Sequence, residues 1–140
     1  MSKNTTAMTE LEQAQAEAES QIKAVYLDKV AEINGTSYTF TRFTHKERKK
    51  VFAFLSSVIV RGKDPVTRKM QESVRMDFWD EPRFEAVEEL INSKITVDGV
   101  QLNKKSNFWD DDEYAADYIA FMLLAMQVIS YPFMQGGSGK

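Results

Sequence analysis

The run YAADYIAFMLLAMQVISY, Tyr114 to Tyr131, decides how this chain is read. From Tyr118 to Met126 nine residues in succession are apolar, so a helix there has no polar face and needs neighbours on every side. Such a helix is either the axis of a folded domain or a membrane span, and length separates the two. Tyr118 to Met134 is 17 residues, interrupted by Gln127, Ser130 and Pro132 and preceded by acids, whereas a span needs about 20 predominantly apolar residues. A core helix is expected, opened by Asp110, Asp111, Asp112 and Glu113, whose charges suit the positive end of a helix, and closed by Pro132. Its first part, around Tyr118 to Leu124, is expected to be the core axis. Its end, carrying Met126, Ile129, Tyr131, Phe133 and Met134, is expected to contact a partner chain or a second copy.

The rest of the composition permits such a core. A chain of 140 residues suits one domain, and a domain of that size buries roughly 68–70% of its unfolded surface. With 43% hydrophobic and 28% charged residues and only 3 Pro and 6 Gly, disorder is expected only locally. The absence of Cys excludes disulfides, thiolate metal sites and cysteine nucleophiles together. A net charge of −3 does not suggest nucleic-acid binding. The opening MSKNTTAMTELEQAQ lacks the apolar segment of a signal peptide, so a cytoplasmic location is expected.

Outward from the closing run, the patterns define the other elements. Residues Met1 to Met8 lack periodicity and are expected to be disordered, with a single helical domain over 9–133 and a flexible Gly-rich tail over 134–140. Thr9 and Glu12 form a capping-box pattern, which opens a first helix whose apolar stripe, Leu11, Ala14, Ala18, Ile22 and Val25, is thin enough to detach or swap. Asn34-Gly35 predicts a type I′ hairpin with Tyr38 and Phe40 on its second strand. The strand around Val30 to Ile33 leaves a bulge or a helical lead-in open. A second capping box, Thr44 to Glu47, opens a helix carrying Val51, Phe52, Leu55, Val58 and Ile59, with Gly62 placed to end it. Asp64-Pro65 and the spacing of Val66, Met70, Val74 and Phe78 predict a third helix to about Trp79. Glu81-Pro82 opens a fourth, with Phe84, Val87, Leu90 and Ile91 on one face, to about Asn92. Asp98-Gly99 predicts a hairpin pairing Val97 with Val100 and Ile95 with Leu102. The fold class expected is mainly α: about five helices with one or two short β-hairpins.

The aromatic strand, capping step and apolar helix SYTFTRFTHKERKKVFAFLSS, Ser37 to Ser57, resemble the tail assembly chaperones of long-tailed bacteriophages, the lambda-like group. The similarity spans roughly Val25 to Phe133, and the acid-led, Met-rich closing helix is compatible with it. The resemblance implies a mainly helical, non-catalytic protein of the host cytoplasm that is absent from the mature virion. Implied partners are the tape measure protein and the tail tube subunits. In this group a frame shift on a slippery run that can encode Gly-Lys yields a longer minor product, and Gly139-Lys140 suits the unshifted form.

No residue set carries chemistry of its own. Asp110 to Glu113 lack the spacing and turn glycine of a calcium loop, so helix capping explains them better and no metal is expected. His45, the only histidine, has no nucleophile beside it in sequence, and no enzyme activity is expected. GGSGK lacks the first glycine of a phosphate loop, because Met134 stands there, and no cofactor is expected. Lys46, Arg48, Lys49 and Lys50 fit a solvated helical turn or a charged contact with an acidic partner. The alternative is a small nucleic-acid-binding regulator using His45 to Lys50, with Phe40 or Phe43 stacking bases. Trp79 and Trp109 are expected to pack between helices.

Overall fold

A computed structural model describes residues 17–63, 65–104 and 108–135. It is mainly α with short antiparallel hairpins, as expected. The capping box at Thr9, the N-terminal segment 1–8 and most of the tail 134–140 lie outside the described residues.

Helix α1 (17–28) leaves its last turn through Lys29, which has a left-handed φ of 63° and donates its N–H to the Val25 carbonyl at 2.7 Å. A residue in that conformation stops a helix and turns the chain. Strand β1 (Val30–Ile33) then pairs with β2 (Thr36–Phe40) around Asn34 and Gly35, both at positive φ. That geometry is the type I′ turn the Asn-Gly pair predicts. The ladder runs from Ile33 opposite Thr36 to Val30 opposite Thr39, and Phe40 donates to the Lys29 carbonyl at 2.7 Å. The strand thus has a helical lead-in and no bulge. Alternation places Ala31, Tyr38 and Phe40 in the core.

Helix α2 (His45–Val58) opens on the expected box: the Glu47 N–H bonds the Thr44 hydroxyl at 3.2 Å, and the Thr44 N–H bonds the Glu47 carboxylate at 2.8 Å. Two expectations fail beyond it. The helix ends at Val58 instead of Gly62, and residues 65–79 form no helix. Ile59–Lys63 is strand β3, paired antiparallel with β4 (Met70–Val74) from Ile59 opposite Val74 to Lys63 opposite Met70. A four-residue spacing such as Met70 to Val74 satisfies a strand period of 2 as well as a helical period of 3.6. The β-branched run Val58-Ile59-Val60 tips the balance towards the strand. This ribbon stands apart from the larger sheet.

Helix α3 (Pro82–Lys94) starts with Pro82 in its first turn and buries Phe84, Val87 and Ile91. Strand β5 (Ile95–Val97) follows directly, turns at Asp98-Gly99 with both φ values positive, and pairs with β6 (Val100–Gln101). Val97 lies opposite Val100 as expected, whereas Leu102 belongs to a 3-10 turn, so its pairing with Ile95 does not form. Strand β5 also pairs with β2, Phe40 opposite Ile95, so the two predicted hairpins join into one sheet ordered β1-β2-β5-β6.

The acids after Trp109 do not open the closing helix. A 3-10 turn at Phe108–Asp110 leads to a one-turn helix, α4 (Asp112–Ala115), whose N-cap Asp111 accepts from the Glu113 N–H at 3.0 Å. Helix α5 (Tyr118–Gln135) begins separately and continues through Pro132 instead of stopping there. It packs on α2 and the sheet, with the Phe121 ring stacked on Tyr38 at 4.5 Å. Its full burial runs from Phe121 to Ser130, with Leu123, Leu124 and Gln127 only half-buried, while Ile119 and Ala120 are exposed. The core axis therefore lies further along the helix than Tyr118 to Leu124.

Candidate interaction surfaces

Helix α2 carries different surfaces on its different sides. Its basic run does not form one patch. At about 100° per residue, Lys46 and Lys50 stand roughly 160° from Arg48 around the helix. Arg48 is tied inward: its guanidinium donates to the Ile129 carbonyl at 2.7 Å and lies 6.0 Å from the Tyr26 ring centre, which in turn packs 5.0 Å from Tyr131. Pro132 has no N–H for the Val128 carbonyl and crowds the last turns of α5. The Arg48 contact at the next carbonyl holds that irregular stretch to α2 and α1. Arg48 is thus a clamp between elements, and the sequence-based expectation of a surface charge at this position is corrected. Lys46, Lys49 and Lys50 are exposed.

On the Lys46 and Lys50 side, α2 and α3 diverge to leave a groove of about 690 Å³. Its floor is Ala53, Phe54, Ala86, Val87 and Leu90, and its rim carries Lys46, Lys50 and Arg83. Arg83 lies 5.6 Å from the Phe54 ring centre and pairs with Glu81 at 2.7 Å. Lys46 and Lys50 make no ion pair among the described residues. Glu47, also at the rim, has its pKa lowered, first by the Thr44 N–H and then by Lys94 at 3.3 Å. Rim charge is accordingly positive.

The predicted contact end of α5 divides in two. Met126 is fully buried and Ile129 nearly so; both face the domain core, and neither is available to a partner. Their residue type suited either role, and the stacking of α5 on α2 decided it. Tyr131 is half-buried against Tyr26. Phe133 packs edge-on against His45 at 5.6 Å and Phe52 at 5.4 Å, leaving it half-exposed. Met134 is 43% exposed and borders an open hollow of about 530 Å³ with Phe52, Ser56, Ile59 and Arg61. A mobile thioether beside aromatic and aliphatic walls suits varied apolar partners.

A third cluster is polar and internal. Asp117, only 2% exposed, sits at the break between α4 and α5. The Asn34 amide donates to it at 2.6 Å and the Tyr38 hydroxyl at 3.3 Å. Burial and the Asp117 carboxylate push the Tyr38 phenol well above its ordinary pKa. Burial, then the hydrogen bond to Glu88, does the same for Tyr118. These contacts fasten the first hairpin turn and α3 to the start of α5. Sequence reasoning missed the cluster, although a lone Asp one residue ahead of nine apolar ones was its signal.

Among the described residues, no group of three or more His, Asp or Glu side chains is placed to hold a metal ion, and no helix is long and apolar enough to cross a membrane. Comparison with known proteins finds no matching family model, no matching curated protein and no matching solved structure.

Proposed function

We propose that this chain is a non-catalytic tail assembly chaperone that binds a phage tape measure protein in the host cytoplasm and helps recruit tail tube subunits to it, without entering the mature virion. The observation that carries the reading is the hollow at the end of α5, where Met134 is exposed beside Phe52 and Ile59 on a folded, helical scaffold. A long helical chain with an apolar stripe aggregates unless the stripe is covered, and a helix-in-groove contact covers it. The similarity of Ser37 to Ser57 to the chaperone group supports the same role, because that segment builds most of α2, which supplies Phe52 and Ser56 to the hollow.

Co-expression with a phage tape measure protein tests the proposal. Soluble tape measure yield should rise several-fold with the wild-type chain, and Met134→Asp should abolish most of the gain while leaving the circular dichroism spectrum unchanged. An unchanged yield with the wild-type chain would count against the role.

A further inference from the structure

The α2/α3 groove asks for an occupant of particular chemistry. Lining residues run from Lys46 to Phe54 on one side and from Arg83 to Leu90 on the other, a length of roughly 12 Å at 1.5 Å per residue, or about two helical turns. Ala53 and Ala86 are exposed on its floor, and small residues let a helix approach closely. The positive rim selects an acidic occupant.

One segment of the chain itself has that chemistry. Between Lys3 and Lys23 there is no basic residue, while Glu10, Glu12, Glu17 and Glu19 are acidic and Ala14, Ala18 and Ile22 recur at helical spacing. In the described part of α1, Glu17 to Gln21 are all exposed, Ala18 included. A helical stretch with nothing packed on it is marginal by itself. Among its described residues, helix α1 is anchored from Ile22 onward, where Ile22 packs on the core, Val25 is buried and Tyr26 meets Arg48 and Tyr131. That anchor lies on the far side of α2 from Lys46 and Lys50, so a chain's own α1 is set away from its own groove.

We infer that the acidic start of α1 from a second copy of this chain docks in the α2/α3 groove, joining copies through Glu17 and Glu19 against Lys46, Lys50 and Arg83. The contact is independent of the hollow at Met134, which lies on another flank of α2. Copies linked in this way leave that hollow open to a different partner.

Sedimentation of the full-length chain across a range of concentrations and salt tests it. The wild type should self-associate reversibly, more weakly at high salt. E17K/E19K and K46E/K50E should each weaken association by roughly tenfold or more, since like charges would then face each other. Combining all four substitutions in one chain should recover a large part of the loss. Ala53→Arg, which fills the groove without removing a charge from its rim, should also dissociate the copies. All these positions are exposed, and circular dichroism would confirm that each variant folds. A monomeric wild type, association indifferent to both charge reversals, or no recovery in the four-fold variant would overturn the inference.

Discussion

Among the described residues Asp117 is the one carboxylate in the core, and its neighbours state its role. Truncating it by Asp117→Ala would leave the Asn34 amide and the Tyr38 hydroxyl without their acceptor. A buried group so orphaned costs about 1–3 kcal/mol, and urea denaturation should show a loss of that size. Ser130 is the opposite case: it is fully buried and its hydroxyl has no partner among the described residues. Ser130→Ala should cost nothing and gain up to about 1 kcal/mol in the same assay. The two raised tyrosines give a pH dependence of definite sign. Their folded pKa values lie above the unfolded value, so the unfolded chain releases protons first. Their contribution is complete below about pH 10 and is lost as pH rises beyond it. The urea midpoint should therefore hold on these groups' account up to about pH 9 and fall as the pH is raised from about 10 towards 12, and Tyr38→Phe should reduce the fall. Glu47 has the reverse sign. Its lowered folded pKa gives a contribution that is present above the ordinary carboxylate range and is lost as pH falls through its folded value.

Among the elements, α5 settles the packing. Phe121 is wholly buried and its ring meets Tyr38, Phe40 and Trp109. Phe121→Ala should cost about 3–5 kcal/mol. Leu123, although central to the apolar run, is only half-buried, so Leu123→Ala should cost clearly less than Phe121→Ala by thermal or urea unfolding. Both turns with Gly after Asn or Asp, the capping box at Thr44 and the Pro82 start were legible in the sequence because each depends on local backbone chemistry. What was not legible depended on competition at longer range. The spacing of Met70 and Val74 suited a helix and a strand equally, and pairing with Ile59–Lys63 chose the strand. Pro132 reads locally as a stop, yet Arg48 meets the carbonyl next to the one it leaves without a donor. The joining of two hairpins into one sheet rests on Phe40 opposite Ile95, 55 residues apart in sequence. Of the candidate contact residues, Phe133 and Met134 reached the surface because α5 overruns its proline, while Met126 and Ile129 fell on the side that α2 covers.

For the whole molecule, two open surfaces lie on separate flanks of α2, a groove towards α3 with an apolar floor and a basic rim, and a hollow at the end of α5 where Phe52, Ile59 and Met134 stand with Ser56 and Arg61. The first suits a helix with an apolar face flanked by acids, and the second a partner that covers Met134 and Phe52. The buried polar contacts at Asp117 and Tyr118 fix the scaffold that carries both surfaces. In the proposed function, the hollow at Met134 receives the tape measure chain. A photo-crosslinking residue placed at position 134, in a chain co-expressed with that partner, tests it most directly, with the same residue at exposed Leu27 for comparison. A tape measure adduct should form from position 134 and none from position 27. Adducts from position 27 with none from position 134 would contradict it.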